Sequence, residues 1–419
     1  MASIYPFHGG RALADIAAPF VGINVTAGQS AWCYDPFELY GRDLGGGTVL
    51  TNSNMLVLGE PGNGKSSAVK TMLYRQAAFY GQRRFVSISD PKGEYGPLAR
   101  ALDMPIVKLY PGGNDRLNLL EAGPGDQARS VQNRQDLMAG MLATVMRREL
   151  DPVEEALLTT AVEVLDRHHR ERLDEPTLID LAELLGELPE SVRGIDELRL
   201  LDEAVIAASV TNLRLALSKL LRTTLRGMFD GPSTVSVEQM AGQGVVIDLS
   251  SVFSNPDALP LVQMATAATL AGQMADLPAK GRRGILVDDE VWATMASERA
   301  AKTLQSRLKL CRLWGIWNIL VTHRLSDLNS QADSGTSASK VAEGLLADVQ
   351  TRVVFRQATD QLAGTGELLR MNERVVELLP RLTRGRSVWT VAGRAAVVQH
   401  VIGNGAERII ANTDEAMVA

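Results

Sequence analysis

Met55-Leu56-Val57-Leu58-Gly59-Glu60-Pro61-Gly62-Asn63-Gly64-Lys65-Ser66-Ser67 is the stretch on which the reading of this chain turns. Four apolar residues read as a buried strand. A Gly/Pro loop stops it, and a helix from about Lys65 to Tyr80 follows. The loop fits G-x-x-x-x-G-K-[ST], with the strand before it and the helix after it that this motif requires. Its glycines let backbone N–H groups turn inward at phosphate oxygens, and the helix N-terminus adds a positive dipole end. Gly59, Pro61, Gly62, Asn63, Gly64, Lys65, Ser66 and Ser67 are therefore expected to hold ATP. Lys65 would reach the β/γ-phosphates and Ser66 would ligate Mg2+. The competing reading is a Gly-rich turn before an ordinary helix, and the flanking elements weigh against it.

Outward from this loop, short strands alternate with helices. Phe85–Ser89, Ile106–Tyr110, Gly244–Leu249, Gly284–Asp289, Ile319–Thr322 and Arg352–Phe355 read as strands. Ser387–Val391 and Ala396–Val398 read as a terminal hairpin around Gly393. This alternation predicts a parallel α/β sheet. From about Gln127 to Met228 the pattern is helical only. Asp151-Pro152-Val153-Glu154 is a helix start, with Asp as N-cap, Pro at the first position and Glu at the third. Asp174-Glu175-Pro176-Thr177 opens another helix, in which Leu178, Leu181, Ala182 and Leu185 recur at helical spacing. The turn Phe229-Asp230-Gly231-Pro232 closes the stretch. The expected organisation is a lead-in over 1–50, a core over 51–126 and 233–405, an all-helical insertion over 127–232, and a tail over 406–419.

A second motif completes the chemistry. Ile285-Leu286-Val287-Asp288-Asp289-Glu290 is an apolar strand ending in acids. Nucleotide hydrolysis needs one acid there for Mg2+ and a following Glu to polarise the attacking water. Asp289 is assigned to Mg2+ and Glu290 to the water, because the chain leaves the strand at Glu290-Val291-Trp292; Asp288 is the alternative. Extra strands and a Glu beside this acid point to the additional-strand, catalytic-Glu group of P-loop ATPases. Ile319-Leu320-Val321-Thr322-His323-Arg324 ends in polar residues, and strand C-termini face the ligand crevice in open α/β sheets. Thr322 or His323 is placed to contact the γ-phosphate or orient water, or His323 simply caps or packs. Arg312 ends a helix carrying Lys302, Arg307 and Lys309. It is the candidate arginine supplied to a neighbouring subunit, with Arg324, Arg352 and Arg356 as competitors and a solvated basic face as the bland alternative. The same cations could line a DNA channel, but Trp314 and Trp317 follow the basic run rather than interleave with it. Asp90-Pro91-Lys92-Gly93-Glu94-Tyr95 follows the second strand on the nucleotide side. It reads either as a polar turn or as groups that arrange water or touch a neighbour's nucleotide.

Composition narrows the setting. The 419 residues are 45% hydrophobic and 22% charged, which excludes disorder and collagen-like repeats. No apolar run reaches about 18 residues, so no integral membrane segment is expected. Met1-Ala2-Ser3-Ile4-Tyr5-Pro6 has neither a basic nor an apolar signal region. Cys33 and Cys311 make no disulfide framework or zinc site, as expected for a reducing cytoplasm. Forty-three basic against 49 acidic residues give −6, so DNA binding would require a local basic surface.

Asp90-Pro91-Lys92-Gly93-Glu94-Tyr95 resembles the D-P-K-G-E-Y signature of conjugative type IV secretion ATPases of the VirB-four/TraC type, in the HerA–FtsK superfamily. Asp289-Glu290-Val291-Trp292 resembles that family's D-E-A-W box, with Val for Ala. Asp35-Pro36-Phe37-Glu38-Leu39-Tyr40 resembles the segment before its phosphate loop. Phe229–Pro232 also resembles a family feature, and Thr413-Asp414-Glu415-Ala416-Met417 resembles actinobacterial members. The resemblance spans roughly residues 30–418. It implies a RecA-like P-loop ATPase core with an inserted all-α domain, a homo-hexameric ring, Arg312 near the trans-acting position, and secretion or conjugation proteins, DNA among them, as partners. Two departures stand out. His323 occupies a sensor position that is usually Gln. The large N-terminal docking domain of many members is absent or reduced to the first 50 residues, so membrane association is expected to be peripheral and through partners.

Overall fold

The computed structural model describes residues 16–412 apart from 27, 46, 122–126, 173, 195, 235–241, 256, 275–276, 292–297, 324–343, 345, 360–361, 363–368, 370 and 404. Its strands are β1 (Phe20–Asn24), β2 (Ser30–Cys33), β3 (Met55–Leu58), β4 (Arg84–Asp90), β5 (Ile106–Lys108), β6 (Gly244–Asp248), β7 (Arg283–Asp288), β8 (Ile316–Thr322), β9 (Thr351–Val354), β10 (Arg386–Val391) and β11 (Arg394–His400). They form one sheet in the order β2-β1-β11-β10-β9-β3-β8-β7-β4-β6-β5. The pairs β9–β3, β3–β8, β8–β7 and β7–β4 are parallel, whereas β9–β10, β10–β11, β11–β1 and β1–β2 are antiparallel. Every residue of β3, β4 and β8 is buried. Continuous apolar runs such as Met55–Leu58 are what a parallel strand covered on both faces demands.

The helices are α1 (Pro36–Leu39), α2 (Lys65–Tyr80), α3 (Gly96–Ala101), α4 (Gln127–Met146), α5 (Pro152–Arg172), α6 (Leu178–Glu187), α7 (Glu190–Arg193), α8 (Asp196–Arg199), α9 (Glu203–Lys219), α10 (Ala258–Met274), α11 (Glu298–Trp314), α12 (Glu373–Val376) and α13 (Ala406–Ala411). The chain divides into two compact units: Met1–Ile106 with Ala241–Val246 and Leu277–Ala419, and Val107–Met240 with Ile247–Asp276. The second unit is wider than the expected insertion 127–232. It takes in α10, which packs on α4.

In the first unit, the segment 1–50 expected as a lead-in is built into the sheet. β1 pairs antiparallel with β11, Gly22 opposite His400. The carboxylate of Asp35 caps α1 by accepting from the N–H groups of Phe37 and Glu38, and takes the Arg84 guanidinium at 2.9 Å in a buried ion pair. The expected tail likewise begins as α13, with Ile410 and Ala411 buried. Residues 413–419, which carry the Thr413–Met417 resemblance, lie outside the described residues. The strand expected over Ile106–Tyr110 ends at Lys108.

The second unit owes its helix starts to the caps visible in the sequence. Asp151 accepts from the N–H groups of Val153 and Glu154 at 2.9 Å each, and Glu154 accepts from the N–H of Asp151. Thr177 and Asp180 form a reciprocal capping box at α6. One described helix, Glu203–Thr223, is long and apolar enough to cross a membrane by length and composition, with mean hydropathy 1.4. The sequence reading by uninterrupted apolar runs passed over it. Ile206, Ser209, Leu213, Ala216 and Leu217 form its buried face, about a third of its apolar stretch is buried, and α9 packs on α4, α5 and α6. Both cysteines carry free thiols.

Candidate active site

The loop after β3 is held in shape from both sides. The Glu60 N–H donates to Arg356 O at 3.0 Å and the Gly385 N–H to Asn63 O at 3.0 Å. Gly59 is required by close approach, since a Cβ there would sit 2.5 Å from Phe355 Cβ. Gly64, at φ +100°, turns the chain into α2. Lys65 is therefore delivered at the first position of α2, followed by half-buried Ser66 and Ser67. Its ammonium donates to Gly59 O and, at 3.1 Å, to Glu60 O. It also lies 2.9 Å from His323 Nδ1. Burial pulls the Lys65 ammonium down to about 8, partly offset by the charge of Asp289. Ser67 Oγ donates to Ala411 O at 2.8 Å.

The acidic strand end sorts its three residues by the pleat. Asp288 faces one side, in a buried ion pair with Arg307 of α11. Asp289 faces the other. It is buried, and burial together with the neighbouring Glu290 charge pushes its carboxyl up to about 7, against the pull of Lys92. Glu290 follows at φ +54°, an uncommon conformation for a residue with a side chain. Its Oε1 lies 2.7 Å from His323 Nε2 and 2.5 Å from Lys92 Nζ. Burial alone would raise the Glu290 carboxyl, but the His323 hydrogen bond and the Lys92 charge bring it down to about 2. With the imidazole protonated at Nε2, Nδ1 accepts from Lys65 and Nε2–H donates to Glu290, and the Lys92 ammonium, 2.8 Å from Nε2, turns its protons to the same carboxylate.

Sheet order explains this convergence. β8 lies between β3 and β7, with Leu58 opposite Thr322 and Asp288 opposite Leu320. His323, one residue past β8, thus stands between the loop after β3 and the acids after β7. β4 flanks β7 with Ser89 opposite Asp288, so Lys92 comes up beside Glu290. The remaining candidates divide. Thr322 is buried at the end of β8. Arg312 is exposed on the last turn of α11. Arg352 turns inward, donating to the carbonyls of Leu369 and Leu346. Arg356 lies beside the phosphate loop, 3.9 Å from the Glu60 carboxylate. Arg324 and Trp292 lie outside the described residues.

Two features escaped the sequence reading. Asp90 spends its carboxylate on the loop that follows, accepting from the N–H groups of Lys92, Glu94 and Tyr95. Lys92 pairs with Glu290 within its own chain. An Asx-type turn was legible in Asp90-Pro91-Lys92-Gly93, but the pairing depends on β4 and β7 being neighbours, which no local pattern records.

The glycine-shaped loop, the lysine at the start of α2 with half-buried Ser66 after it, and the buried carboxylate of Asp289 suit a Mg2+–nucleotide. Among the described residues, no group of three or more His, Cys, Asp or Glu could hold a metal by itself. Mg2+ bound through phosphates needs only one or two protein ligands.

No family model matches this chain, and no curated protein sequence matches it significantly. Its fold is that of known P-loop ATPases. The structure of VirB4 of Thermoanaerobacter pseudethanolicus superimposes with a TM-score of 0.71 at 19% identity, over 94% of this chain and 98% of that one. The plasmid coupling protein TrwB in complex with a non-hydrolysable ATP analogue superimposes with 0.58 at 18% identity, over 85% and 87%. TrwB in complex with ADP and Mg2+ gives 0.56 at 17% identity, over 86% and 88%.

Proposed function

We propose that this chain is a Mg2+-dependent ATPase whose hydrolysis powers conjugative or type IV secretion-like transfer. The observation that carries the reading is the convergence of Lys65 with Asp289 and Glu290 across β8. Backbone N–H groups of residues 59–67 and the α2 N-terminus bind the phosphates. Lys65 leaves the Gly59 and Glu60 carbonyls to pair with the terminal phosphates. Ser66 and Asp289 hold Mg2+, which when bound neutralises charge on the phosphate oxygens. Glu290 orients the attacking water and accepts its proton. His323 stands where it can sense the terminal phosphate through Lys65. The folds of VirB4 and TrwB, and the nucleotides in the TrwB complexes, support this assignment.

The working form is a homo-hexameric ring in which the exposed Arg312 reaches the neighbouring subunit's nucleotide. It acts at the inner face of the membrane through secretion-system partners. A second reading, a DNA translocase of the same superfamily, draws on the exposed Lys302, Lys309 and Arg312 of α11. Steady-state ATP hydrolysis with and without single- and double-stranded DNA, with Lys65→Ala as the blank, tests both. Lys65-dependent hydrolysis indifferent to DNA favours work on protein partners, and strong DNA stimulation favours the translocase. Absence of Lys65-dependent hydrolysis overturns the hydrolase assignment.

A further inference from the structure

The loop Asp90–Tyr95 is built to present one cation. Asp90 fixes its backbone through three N–H groups, Gly93 turns it at φ +72°, and the Tyr95 side chain is buried beneath it. What the loop offers is Lys92, whose Nζ lies 2.5 Å from Glu290 Oε1 and 2.8 Å from His323 Nε2. His323 Nε2 meets the same oxygen at 2.7 Å. A carboxylate oxygen has two lone pairs, and both donors converge on this one oxygen. A general base must direct a lone pair at the water it deprotonates, at hydrogen-bond distance. Glu290 so held is fixed in place but poorly disposed to accept that proton through Oε1.

We propose that Lys92 is a positioning residue that restrains Glu290, so that hydrolysis accelerates when its ammonium is drawn off the carboxylate. This rests on the hydrolase reading above. The bound nucleotide leaves the pairing in place, and an anion supplied from outside the site that competes for the ammonium lifts the restraint. Removing the cation by mutation does the same permanently.

The test uses the full chain carrying Lys92→Met, with Lys92→Arg as the conservative variant and Lys92→Gln as a second uncharged one should the first not fold. Expected is a kcat for ATP raised about 3- to 10-fold in Lys92→Met or Lys92→Gln, a small part of the roughly 100-fold or more that a proton-transfer group contributes. KM stays within about 2-fold of wild type, and Lys92→Arg keeps the wild-type rate. A kcat that is unchanged or lower while the wild type hydrolyses ATP overturns the restraint alone. Hydrolysis in no variant, wild type included, overturns the hydrolase reading with it. A thermal-unfolding cycle on the nucleotide-free protein reads the contact independently of activity. Lys92→Met and Glu290→Gln combined should lower Tm by less than the sum of the single losses, by at least about 1 °C. Additive losses overturn the pairing.

Discussion

Asp288 and Asp289 are sequence neighbours with opposite surroundings, and that contrast gives the sharpest predictions at the residue scale. Asp288 is one half of a buried ion pair with Arg307, so removing its charge strands a guanidinium in the interior. Asp288→Asn should lower stability by about 3 kcal/mol, seen in chemical denaturation, with little change in nucleotide affinity. Asp289 is buried on the other side and is the proposed Mg2+ ligand. Asp289→Asn should fold normally and lose most Mg2+-dependent hydrolysis, about 100-fold or more, with the loss read as kcat against Mg2+ concentration. Equal effects of the two substitutions would contradict the division by the pleat. The sequence narrowed the choice to two acids and favoured Asp289 on where the strand ends. The contact that engages Asp288, with Arg307 nineteen residues on, is a tertiary one with no local signature.

At the scale of elements, what was legible followed a local rule. The loop after β3, the caps at α5 and α6 and the hairpin of β10 and β11 are each specified by neighbours in sequence. The lead-in was not legible as part of the sheet, because β1 pairs with β11 across some 370 positions. The convergence of Lys92 and His323 on Glu290 was hidden for the same reason, since it follows from strand order. The start of α5 carries its own test. Glu154 has no exposed side-chain surface and accepts from Arg148, the Asp151 N–H and Asn212. The Arg148 hydrogen bonds, against the cost of burial, hold its carboxyl down to about 2, below the ordinary 4.5. A carboxyl lowered on folding adds stability that is complete above about pH 4.5 and is lost as pH falls towards 2. Glu154→Gln should therefore flatten the acid limb of the stability–pH curve between about pH 4.5 and 2 and lower stability at pH 7. An unchanged acid limb would remove Glu154 from the account.

For the molecule as a whole, the first unit is closed by the two ends of the described chain meeting on α2. Arg75 makes a two-oxygen pair with Glu407 of α13 and donates to the carbonyls of Phe20, Val21 and Val401. One side chain thus ties β1, the exit of β11 and α13 to the helix that begins at Lys65. Arg75→Ala should cost about 2 kcal/mol or more through several mostly buried acceptors left unpaired, and limited proteolysis should cut near residue 24 or 405 sooner than in wild type.

The wedging of β8 between β3 and β7 has a metric consequence. Strands in a sheet repeat every 4.7–4.9 Å, so the strand ends bearing the lysine loop and the acids stand about 9.6 Å apart, a gap set by backbone geometry rather than by any side chain. The sheet is then a gauge for the length of a phosphate chain. On the proposed function, a triphosphate anchored at the loop would cross to the acids, and a diphosphate would stop one unit short. On this measure a non-hydrolysable ATP analogue should raise Tm more than ADP at equal saturation, because only the longer chain fastens both strand ends. Loss of one phosphate is then felt by the protein as the unfastening of one end of its own ruler.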